Sequence, residues 1–67
     1  MDEKIRAAIR RNFEYHTRDD TMTSSETFVA MAGYFMALLD MEHITPAEFK
    51  RACADAMIWR INAGLEV

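Results

Sequence analysis

The chain has 67 residues, a formal net charge of −3, 51% hydrophobic content and one cysteine. Those figures allow one small domain, near the lower size limit for unaided folding, and exclude an internal disulfide. With only two glycines and one proline, the composition is that of a compact helix former and not of a disordered chain. A lone thiol predicts a reducing, cytoplasmic setting. The opening MDEKIRAAIRR places acids before its first bases and lacks a continuous apolar core, so it reads as no signal peptide.

The first predicted helix covers residues 2–17. Ile5, Ala8, Ile9, Phe13 and His16 follow helical spacing, with Lys4, Arg6, Arg10, Arg11 and Glu14 on the other faces. Asp2 and Glu3 suit the positive end of its macrodipole. The segment Arg18-Asp19-Asp20-Thr21 breaks the apolar pattern and reads as a loop.

The second helix is predicted over 24–41. Thr23-Ser24-Ser25-Glu26 has the form of a capping box, in which side chain and backbone of the first and fourth residues satisfy each other. The run Phe28–Leu39, FVAMAGYFMALL, carries no charge. A helix apolar all round must be covered on every side, and so short a chain has little material to do it. The run is too short for a membrane span, which takes about 20 apolar residues, and its flanks are polar or acidic. Val29, Gly33 and Ala37, four apart, form a narrow strip of small side chains. Gly33 costs the helix about 1 kcal/mol relative to alanine, which predicts a neighbouring helix approaching closely there.

The third helix is predicted over 46–63. Thr45 is its N-cap, Pro46 its first helical residue, and Glu48 closes a second capping box. Ile44 and Phe49 occupy the positions of a hydrophobic staple. Phe49, Ala52, Cys53, Ala56, Met57 and Ile61 form one predicted inner face, widened by Trp59 and Ala63, while Ile58 falls on the wet side. Gly64 is the expected left-handed C-cap residue, with Leu65 folding back. The expected fold class is all-α, an antiparallel hairpin of helices two and three with a basic first helix packed against it.

Nothing in the chain spells out catalysis. Cys53 sits on an apolar face, where cysteine behaves as a small hydrophobe, and capping accounts for the Thr/Ser cluster. His16, His43 and Cys53 lack any tight ligand spacing, and neither Asp19-Asp20 nor Asp40/Glu42 has the ligand order of a calcium loop. No enzyme activity, metal or cofactor is expected.

Binding is the remaining class. Excess apolar surface and six methionines predict a protein-interaction module that is itself a homodimeric bundle, since small domains often gain stability by association. The predicted dimer residues are Phe28, Met31, Tyr34, Phe35 and Leu38. For an external protein partner the anchors are Arg6, Arg10, Arg11, Tyr15 and Trp59, because arginine and aromatics dominate interfaces. Residues 2–18 carry net +2 and the remainder −5, an asymmetry that marks a surface for a charged partner or lets the halves attract each other. Short acidic helical chains of this kind are common among phage and mobile-element products that block host or defence proteins, which suggests an inhibitor or adaptor role by compositional analogy. The alternative is nucleic-acid binding through the basic first helix, weakened by the acidic total.

Overall fold

The computed structural model describes residues 2–18 and 21–65, the last two by backbone alone. Three helices follow in chain order: α1 (Glu3–Arg18), α2 (Ser24–Asp40) and α3 (Pro46–Leu65). Among the described residues there is no strand. The expected 18–21 loop falls partly outside the described residues, and the expected fold-back of Leu65 lies outside the described side chains.

Both capping boxes form. Thr23 Oγ1 accepts from the Glu26 N–H at 3.1 Å while Glu26 Oε1 accepts from the Thr23 N–H at 2.9 Å. Thr45 and Glu48 repeat the arrangement at 3.1 and 2.8 Å. These reciprocal bonds satisfy amides that a helix start otherwise leaves to water. Accepting a backbone N–H favours the ionised carboxylate, so the Thr23 amide lowers the pKa of Glu26 and the Thr45 amide lowers that of Glu48.

The α2 terminus is less ordinary. His43 N–H donates to Leu38 O at 2.9 Å and Glu42 N–H to Leu39 O at 3.0 Å, the two bonds of a Schellman motif. That motif needs a left-handed residue, and Glu42 supplies it at φ 60. Glycine is the usual occupant, because a Cβ there costs about 1–2 kcal/mol. At the α3 end, Gly64 lies within the helix, which continues to Leu65 instead of stopping at Ala63. Glycine accepts either backbone conformation, and here it extends the hydrogen-bond ladder.

The core lies between α2 and α3. Met31 and Phe35 of α2 and Ala56 of α3 are fully enclosed, with Ala52 alongside. Leu38 and Ile44 are buried at the hairpin end, so the outer half of the predicted staple is secured. The alanines let the aromatic and methionine side chains of α2 lie close to the α3 backbone. Phe28, at the start of α2, holds the Arg60 guanidinium over its ring at 5.8 Å, which fixes the two helices antiparallel. α1 covers one side of this hairpin with Ile9 and Phe13. Phe13 meets Trp59 edge-on at 6.4 Å between centroids. No residue of α1 is fully buried.

Three sequence expectations change here. Met31, Phe35 and Leu38, predicted for a dimer interface, are enclosed by the chain's own helices, and Phe28 and Tyr34 flank the same core. Gly33 faces outward with no atom within 4 Å of where a Cβ would stand, so no helix of this chain approaches it. Ile61, placed on the inner face by spacing, is 55% exposed. It lies nine residues, about 180°, round the helix from Ala52, and the core centres on Ala52 and Ala56.

Candidate functional site

Chemistry-bearing groups are dispersed. Cys53 is half-buried against the core, and that burial pushes its thiol pKa up, away from the thiolate a nucleophile needs. Among the described residues no three His, Cys, Asp or Glu side chains stand close enough to hold a metal ion, and no helix is long and apolar enough to cross a membrane. A groove of about 520 Å³ opens between α1 and α3, lined by Arg6, Ile9, Glu48, Arg51, Ala52 and Asp55. Its two guanidinium groups and two carboxylates balance, so the groove presents no net charge to a ligand.

The predicted partner anchors do not share one surface. Arg6 reaches back to Glu3 at 3.8 Å and lines the α1–α3 groove, with Arg10 one turn further along the same flank. Arg11 and Tyr15 lie elsewhere on α1, and with Glu14 and Arg18 they line an open concavity of about 490 Å³. Tyr15 is 71% exposed, its ring set edge-on to His16 at 5.3 Å. Trp59 belongs to neither group, since its indole packs on Phe13 and the core. The basic helix thus offers two narrow flanks separated by roughly a quarter turn, because consecutive residues such as Arg10 and Arg11 diverge by about 100°.

A second kind of surface was not assigned by sequence. Apolar side chains of both hairpin helices face water: Val29 and Met36 on α2, Ile58 and Ile61 on α3, with Ile58 in the helical stripe of Arg51 and Asp55 beside the α1–α3 groove. Ala32 and Met57 are half-buried, and the Met57 sulfur lies 3.8 Å from the Arg60 guanidinium. Met41 extends exposed apolar area to the hairpin tip. The signal for these exposed side chains was present in the charge-free run of α2 and in Ile58, already placed on the wet side by spacing, whereas spacing placed Ile61 inward.

One internal feature is unusual. Asn12 Oδ1 and His16 Nδ1, one turn apart on α1, are both shut from water and lack hydrogen-bond partners. Neither residue is fully enclosed. Searches with this chain match no family model, no curated protein and no solved structure.

Proposed function

We propose that this protein is a non-catalytic protein-interaction module that self-associates and modulates a larger protein, as an inhibitor or adaptor does. One observation carries the reading: Val29, Met36, Ile58 and Ile61 are each more than half exposed although the core is already complete without them. A small chain that keeps large apolar side chains in water is presenting a binding surface. The flank Arg11–Tyr15–Arg18 supplies the polar and aromatic contacts through which an external partner is held. A phage or mobile-element regulator acting on a host protein fits this small, acidic, single-domain design by composition.

Nucleic-acid binding is the second reading, supported by the bases of α1 and opposed by the total charge of −3. The two are separated by capture from native-cell extract with paired variants, Arg11→Glu/Arg18→Glu and Arg6→Glu/Arg10→Glu. A specific protein retained by wild type and lost with the first pair supports the interaction module. Equal retention by both variants overturns that flank as the partner surface. A low-salt gel shift abolished by either pair would favour the nucleic-acid reading instead.

A further inference from the structure

Resting on the reading as an interaction module, we infer that the outer pole of α1 docks an acidic α-helix of the partner protein, one that carries carboxylates at seven-residue intervals. The juxtaposition behind it is a column of cations, Lys4, Arg11 and Arg18, beside a second column formed by Ala8 and Tyr15.

Both columns repeat every seven residues. That spacing drifts by only about 20° per repeat and rises about 10.5 Å, so Lys4, Arg11 and Arg18 form a nearly straight row about 21 Å long. Ile9 and Phe13, which pack α1 on the core, each lie about 160° round the helix from Arg11. The row therefore points outward, and all three cations are exposed. Among the described residues none of the three side chains enters an ion pair, although Glu14 is one turn from both arginines and shares their concavity. The α1 base that does pair, Arg6 with Glu3, is on the other flank.

The occupant follows from charge and spacing together. Three unneutralised cations in a chain of net charge −3 make a local positive row that attracts an acidic partner. A helix laid along α1 meets the row at the same seven-residue interval, as flanking charges do in coiled coils. Tyr15, 71% exposed, is the aromatic anchor between Arg11 and Arg18, and the small Ala8 leaves room for a bulkier partner side chain one repeat back. Glu14 borders the row on one side, so the partner lies toward Ala8 and Tyr15. A nucleic-acid backbone, charged at every nucleotide, calls for a basic footprint wider than one row; an acidic helix needs only the row.

Fluorescence anisotropy of the full chain against synthetic probes tests this. The first probe is a three-heptad helical peptide with one glutamate per heptad. The others are the same composition with the glutamates five residues apart, the first sequence with lysine for glutamate, and a single-stranded DNA. Wild type is expected to bind the seven-spaced glutamate peptide at least about tenfold more tightly than the five-spaced one, since three exposed ion pairs each contribute a few-fold. Tyr15→Ala should weaken that binding several-fold. Arg11→Gln/Arg18→Gln should lose the spacing preference with helicity by circular dichroism unchanged, because both positions are exposed. Lys4→Glu/Arg11→Glu/Arg18→Glu should transfer the preference to the lysine peptide.

Equal binding of the two spacings, no binding of either at millimolar concentration, or a preference that survives Arg11→Gln/Arg18→Gln overturns the inference. So does tighter binding of the DNA than of the seven-spaced peptide. If extract capture still loses its protein with Arg11→Glu/Arg18→Glu, the interaction module survives such a result and only the acidic helix falls. A clear spacing preference with no protein captured defeats the modulator reading alone.

Discussion

The hairpin and the first helix carry equally clear amphipathic or capping signals, yet they are anchored very differently. α2 buries Thr27, Met31, Phe35 and Leu38, and both hairpin helices begin in closed capping boxes. α1 buries no residue fully, and its start is held by the exposed Asp2 carboxylate accepting from the Lys4 amide at 2.7 Å. Local sequence decides that a segment is helical. How much it contributes to stability is decided by the volume it removes from water.

The comparison breaks or holds first on a pair of phenylalanines. Phe35→Ala should cost about 3–5 kcal/mol, comparable with the whole stability of so small a core, and leave the chain unfolded at 25 °C. Phe13→Ala, which removes a half-buried ring and its edge contact with Trp59, should cost about 1–2 kcal/mol and leave a cooperative transition. Urea titrations followed by circular dichroism read both. Equal losses would mean that α1 is as deeply rooted as the hairpin.

A smaller effect sharpens the role of the caps. Thr45→Ala should cost about 1 kcal/mol, or several degrees in thermal midpoint. The same boxes set an acid limit. Glu26 and Glu48 have pKa values lowered from the usual 4.5, so their contribution is complete above that pH. It is lost as pH falls through the lowered values. Thermal midpoints should therefore drop below about pH 4.5, and drop less in a Glu26→Gln/Glu48→Gln variant, whose boxes cannot titrate. An identical acid response in the double variant would show that the boxes are not its source.

The smallest expected change is a gain. Glu42→Gly places the usual residue at the left-handed position and should raise stability by about 0.5–1 kcal/mol, seen as a higher midpoint in the same melts. No gain would mean that the left-handed cost is already offset at the hairpin tip.

Much of the architecture was legible in particular residues. Thr23 with Glu26, and Thr45 with Pro46 and Glu48, placed two helix starts at the right residue, because capping is chemistry within four positions. Facing was not legible in α2. A run in which every residue from Phe28 to Leu39 is uncharged has no preferred side, so burial of Met31 and Phe35 over exposure of Val29 and Met36 depends on where α3 lies. Thr27, only 1% exposed, gave no warning, since threonine after a capping box reads as surface. The same gap separates Arg6 from Arg11 in function: both are exposed bases on one helix, and only the position of α3 assigns one of them to a groove.

Asn12 and His16 give α1 a thermodynamic reason to leave. Each shut-in atom without a partner costs about 1–3 kcal/mol, and both would regain water if the helix lifted from the hairpin. Ile9 and Phe13 hold it down against that pull. The first helix therefore carries an internal cost that neither hairpin helix shows among the described residues, and local opening measured by amide exchange should begin there.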